Sequence, residues 1–167
     1  MRETKGNGLK IHLRERLAGA RRVVVVGIGD RLLPRDRLGM LAAEAVADLH
    51  LPGVTVFLAG TVPESMTGPI RRTRPDHVLL LDSAEMGALP GTVAIVEPEG
   101  IHATLFSTHV LPLSVLMEFL EKDAHTRVTL IGIEPDIRTR ESKPTPREEK
   151  GLQHLLKVLK KVLGGDR

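Results

Sequence analysis

Residues 22–44 read RVVVVGIGDRLLPRDRLGMLAAE. Four consecutive valines, Val23 to Val26, run into a Gly-Ile-Gly turn, and an uninterrupted apolar run of this kind is the pattern of a strand buried on both faces. Leu38, Leu41, Ala42, Ala45 and Leu49 then recur at helical spacing, which predicts an amphipathic helix starting just after Asp36. Strand, glycine turn and helix in that order open an α/β fold. They also open a dinucleotide site, and the two readings part at the third glycine. A dinucleotide fingerprint needs Gly-x-Gly-x-x-Gly at the entry to a helix, where backbone amides meet the pyrophosphate. Here Leu32 holds the third position and the helix begins several residues later. The second strand, VTVFLAG, lacks the ribose-binding acid, and no Gly-Lys-Ser/Thr element offers a phosphate loop. The turn must serve another site.

Working outward, VTVFLAG (54–60) and HVLLLD (77–82) read as further strands, the second ending on a carboxylate. TVAIVEP is a fourth strand, expected to be antiparallel because the link SAEMGALPG is too short for a crossover helix. Leu113, Leu116, Met117 and Leu120 mark a helix, and RVTLIGIEP is a fifth strand. TPREE is a capping box, with Thr145 at the cap, Pro146 at the first helical position and Glu148 three residues after the cap. Leu152, Leu155, Leu156, Leu159 and Leu163 continue that last helix to Gly164 and Gly165. The alternation predicts a doubly wound, mostly parallel twisted sheet of about five strands with helices on both faces. Residues 1–20 are expected to form a helical N-terminal extension through Leu9, Leu13 and Leu17, and residues 21–167 a single α/β domain.

Composition narrows the function classes. The chain has 167 residues, 41% of them hydrophobic and 27% charged, close to globular averages. No apolar run approaches the roughly 20 residues a membrane-spanning helix needs. The N-terminal stretch lacks the apolar core of a secretory signal, and Glu3 and Glu15 argue against a transit peptide, so a cytoplasmic protein is expected. With no cysteine, disulfides, thiolate catalysis and zinc-thiolate sites are excluded, and any metal must be held by His, Asp or Glu. The net charge of +3 is spread along the chain, and without Trp or Tyr the stacking platforms of nucleic-acid binders are missing. A single Asn and a single Gln fit the depletion of thermolabile amides in a thermophile's protein.

In an open parallel sheet the loops leaving the carboxyl ends of the strands crowd together into a crevice. Asp36 lies on the loop after the first strand, Asp82 ends the third, and His109 precedes the helix that leads to the fifth. Pro112 lacks an N–H and is tolerated only in a helix's first turn, which places His109 at or beside the helix cap. One imidazole and two carboxylates suit a divalent ion such as nickel or zinc and leave positions open for another ligand. Each residue also has a plainer role available: Asp36 as the cap of the following helix, Asp82 as the cap of the turn at Ser83, and His109 bonded to a backbone carbonyl.

The motifs GIGDRLLPRDRLG, GTVPES, LLLDSAEMGALPG, FSTHVLPL and IGIEPDI, in this order, resemble the hydrogenase maturation proteases. The strongest likeness is to the endopeptidases that process the large subunit of nickel–iron hydrogenases of the hydrogenase 3 type. It spans roughly Val23 to Leu163. The resemblance implies that Asp36, Asp82 and His109 are metal-binding residues. It also implies a nickel-dependent endopeptidase that recognises nickel already inserted in the large-subunit precursor and then removes its C-terminal extension. Nickel would be presented by the substrate, other divalent ions such as zinc could occupy the site, and neither nucleic acid nor membrane insertion is expected. The first loop departs from the family pattern: Asp30 stands where Asn is usual, Arg35 where an acid is usual, and Arg37 where glycine is usual. An arginine about 4 Å from a bound cation costs roughly 1 kcal/mol in water and about 4 kcal/mol at an effective dielectric near 20. The metal site is therefore expected to be weakened unless Arg35 and Arg37 point outward or bind the substrate's terminal carboxylate. Glu64 in VPES matches an acid often found there and is a further substrate-binding candidate. The sequence does not name the general base. The alternative is a non-proteolytic assembly factor, its cleavage abolished by the loop arginines, that only docks on the precursor.

Overall fold

The computed structural model describes residues 8–97 and 112–165. In chain order they form α1 (Gly8–Arg16), β1 (Val23–Ile28), α2 (Leu38–Ala47), β2 (Val54–Gly60), a 3-10 turn (Pro63–Met66), α3 (Thr67–Thr73) and β3 (His77–Ser83). There follow β4 (Val93–Val96), α4 (Leu113–Asp123), β5 (Arg127–Ile133) and α5 (Pro146–Leu163). The five strands make one sheet in the order β2-β1-β3-β5-β4. β1, β2, β3 and β5 run parallel, and β4 is antiparallel to β5. This is the doubly wound, mostly parallel sheet that the alternating pattern predicts.

The valine run shows why both faces must be covered. Successive side chains of a strand point to opposite faces, so Val23 and Val25 join Leu79, Leu81, Ile131 and Ile133 in a core closed by α1, α2 and α5. Val24 and Val26 join Val78, Leu80, Val128 and Leu130 in a second core under α3 and α4. Fully burying each such side chain contributes about 1.5–3 kcal/mol. The N-terminal segment belongs to this packing: Leu9, Leu13 and Leu17 are buried in the first core together with Leu155 and Leu159 of α5.

β4 is antiparallel, as the short link predicts, but its neighbour is β5 and not the strand that precedes it. The link crosses the carboxyl end of β5 and is tied there by backbone hydrogen bonds. Ala84 N donates to Ile133 O (2.9 Å), Gly91 N to Glu134 O and Glu134 N to Thr92 O (both 2.8 Å).

At the amino end of the sheet, His77 is 1% exposed and its Nε2 lies 2.8 Å from Thr129 Oγ1 on β5. Burial, with the Arg127 and Arg16 charges adding to it, pushes its pKa down to about 4. As pH falls below about 6.5 the unfolded chain takes up this proton and the folded one does not. The His77 contribution to stability is therefore complete well above pH 6.5 and is lost progressively between there and pH 4. His77 alone should cost about 2 kcal/mol at pH 5. Urea unfolding of the wild type and His77→Gln at pH 7 and pH 5 checks this: the variant should lose less stability between the two pH values. Equal losses would show that His77 does not govern the acid limb.

Candidate active site

The chain passes from β1 out to β2 on one side and returns to β3 on the other. The ends of β1 and β3, paired in register at Gly27 and Leu81, therefore flank the sheet's topological switch point. Crevices for ligands open at such points, outside the carboxyl ends of the strands. The Gly-Ile-Gly turn lies at this point. Gly29 has φ of +118°, and a Cβ there would lie 1.8 Å from Asp36 O and 3.2 Å from Asp36 Oδ1. Only glycine lets the loop fold back against Asp36. At Gly39, in the first turn of α2, a Cβ would meet Leu81 O at 2.2 Å and Asp82 Cα at 2.7 Å. The helix thus lies directly on the end of β3, and the glycines serve helix packing and the seating of an acid.

Asp36 and Asp82 are each 7% exposed. Asp36 Oδ2 accepts the N–H of Asp30 (2.9 Å), which fixes the carboxylate across its own loop. It does not cap α2: the cap residue is Arg37, with no side-chain cap bond. The N–H of Leu38 instead donates to Ser83 Oγ (3.1 Å), the residue after Asp82. This bond joins the two segments carrying the aspartates, so both carboxylates stand at the β1–β3 end of the sheet. His109 lies outside the described residues. The helix it precedes begins at Leu113, with Pro112 as its cap in an extended conformation (φ −56°, ψ 135°). The expectation of Pro112 inside the first turn is corrected accordingly. A proline in this conformation precedes the helix. Among the described residues, no three His, Asp or Glu side chains are placed to hold an ion.

The loop arginines have separate fates. Arg35 is exposed and its Nη2 lies 2.6 Å from Glu85 Oε1 on the β3–β4 link. Arg37 is buried. It donates from Nη1 to Glu141 O (2.8 Å) and from Nη2 to Lys143 O (2.7 Å), and stands 3.6 Å from Glu148 Oε2. Its guanidinium is committed inside the protein, so Arg37 as a substrate-binding residue is corrected: a side chain 1% exposed cannot reach a peptide carboxylate. The acid that holds it is the capping-box Glu148. That residue also accepts the N–H groups of Asp136 (2.9 Å) and Thr145 (2.7 Å), while Thr145 Oγ1 accepts the N–H of Glu148. Glu64 sits in the 3-10 turn after β2, partly buried, with Oε2 lacking a hydrogen-bond partner among the described residues.

One acid at this edge was not singled out from the sequence, although it falls within IGIEPDI. Glu134 follows β5 directly and is 6% exposed. It accepts the N–H groups of Met86 (2.6 Å) and Ala88 (3.2 Å), so it holds the β3–β4 link over the strand end. Burial pushes its pKa above the ordinary glutamate range, against the lowering effect of those two N–H donors, and Glu85 adds to the rise. The signal available was an acid standing directly after an unbroken apolar strand and before a proline.

Comparison with known proteins meets this architecture directly. Residues 40–161 match the HycI hydrogenase maturation protease family. The hydrogenase 3 maturation protease of Escherichia coli K12 is 33% identical over 115 residues, covering 68% of this chain and 73% of that one. Among solved structures, the nickel–iron hydrogenase maturation protease HycI of Thermococcus kodakarensis KOD1 superposes with a TM-score of 0.82 at 27% identity, over 92% of this chain and 99% of that one. The endopeptidase HycI of Escherichia coli gives 0.70 at 29% identity, over 81% and 87%. The chain belongs to the hydrogenase maturation protease family. No helix among the described residues is long and apolar enough to cross a membrane.

Proposed function

We propose that this protein is the endopeptidase that removes the C-terminal extension of a nickel–iron hydrogenase large-subunit precursor in the cytoplasm, once nickel has been inserted. The observation that carries the reading is the pair of buried aspartates, Asp36 and Asp82, held at the β1–β3 switch point by Gly29, Gly39 and the Leu38–Ser83 bond. Nickel belongs to the substrate. Asp36 and Asp82, together with His109, take up open coordination positions on the metal carried by the precursor. The adjacent peptide bond is then held in one orientation. A divalent ion so placed polarises the scissile carbonyl or the attacking water. No Gly-x-Ser-x-Gly elbow and no cysteine provides a nucleophile of the chain's own.

The docking-only alternative drew its force from two cations beside the metal. Arg37 is countered by Glu148 and Arg35 by Glu85, which favours cleavage. Incubating the protein with nickel-loaded and nickel-free precursor, followed by mass measurement, should show loss of the C-terminal peptide from the loaded form alone. Trimming of both forms would remove nickel from the mechanism. Tight binding to the loaded form without trimming would make the protein a docking factor.

A further inference from the structure

Most apolar side chains of the described residues are buried, and five of the large ones that are not share one edge of the sheet. Leu32 and Leu33 follow β1, Val62 follows β2, Leu89 follows β3 and Ile137 follows β5. Their strands are consecutive in the order β2-β1-β3-β5. At the usual strand spacing the four ends span about 15 Å. Leu32 is 83% exposed and Leu89 68%. Scattered exposed leucines need no explanation, but exposed apolar side chains gathered at one sheet edge mark an interaction site.

Charge along this edge is uneven. Arg31 and Arg35, after β1, are paired with Glu44 and Glu85. Arg138, Arg140 and Lys143, after β5, are exposed, and no carboxylate among the described residues stands within ion-pair distance of them. Their loop is anchored at its base, because the carbonyls of Glu141 and Lys143 accept from buried Arg37. The cations are thus presented on a held segment beside Ile137.

We infer that this edge docks a segment of the hydrogenase precursor that lays apolar side chains across Leu32, Leu33, Leu89 and Ile137 and turns carboxylates toward Arg138 and Arg140. The inference rests on the endopeptidase reading and specifies what brings the precursor to Asp36 and Asp82. It is tested by trimming kinetics on the nickel-loaded precursor with two variants, Leu32→Ser/Leu33→Ser/Leu89→Ser and Arg138→Glu/Arg140→Glu. Each should raise KM at least tenfold and leave kcat within about twofold, the signature of lost binding away from the reacting bond. The arginine variant should also lose the wild type's sensitivity to salt. Unchanged melting curves would exclude misfolding. If the wild type trims and both variants keep its KM, the docking surface is wrong and the protease reading stands. If the wild type neither binds nor trims the loaded precursor, both fall together. If sedimentation shows a wild-type dimer that the leucine variant dissociates, the edge is covered by a second copy of the chain and the proposal is overturned.

Discussion

Glu148→Ala is expected to destabilise the protein by roughly 3–5 kcal/mol, the cost of breaking a buried ion pair from one side. Glu148 is fully buried and Arg37 is 1% exposed. Removing the acid leaves a guanidinium that cannot be deprotonated away from water with only two carbonyls to receive it. The same change takes an acceptor from the N–H groups of Asp136 and Thr145 and dismantles the capping box of α5. Native domains are stable by only about 5–15 kcal/mol, so this loss is a large share of the total. Arg37→Gly restores the residue usual in the family pattern yet should also destabilise, because it strands Glu148. The double variant Arg37→Met/Glu148→Gln should recover part of the loss, with a coupling of about 1–3 kcal/mol. Urea unfolding at pH 7 measures all four proteins. Wild-type stability in Glu148→Ala would mean that the pair does no more than fill space.

This pair shows where the sequence was legible and where it was not. The capping box TPREE was readable because a cap is local: the bond partners lie three residues apart. The second role of Glu148, holding Arg37, joins residues far apart in the chain and leaves no local trace. For the same reason the two loop arginines looked like a burden on the metal, when tertiary contacts give each its own carboxylate. The four valines were decisive for the fold because an apolar run without alternation needs cover on both faces. They did not say which strand β4 would pair with, since a short link sets direction and not neighbour. The capping role open to Asp36 was removed only by Ser83, on β3, which accepts the helix N–H. Glu134 was passed over because its work, holding Met86 and Ala88, lies in the fold of a link whose path the sequence does not draw.

Asp82→Ala and Asp36→Ala should each reduce trimming of the nickel-loaded precursor by 100-fold or more, since misplacing a reacting bond by about 1 Å already costs that much. The fold should survive both. Both residues stand at the rim of the sheet, outside the two cores. For Asp36 the loss includes the hydrogen bond from the Asp30 N–H, worth about 1 kcal/mol. The asparagine variants separate charge from shape. Asp36→Asn keeps an acceptor for Asp30 N–H and so retains that bond; as a neutral ligand it should still trim poorly. Asp82→Asn should behave alike. His109→Ala belongs in the same series as the third donor of the proposed set. Mass measurement of the products, with thermal unfolding of each variant alongside, reads both effects. Were Asp82→Asn to trim at the wild-type rate, the carboxylate would not be meeting a metal. The family fold would then be preserved here without the chemistry assigned to its aspartates.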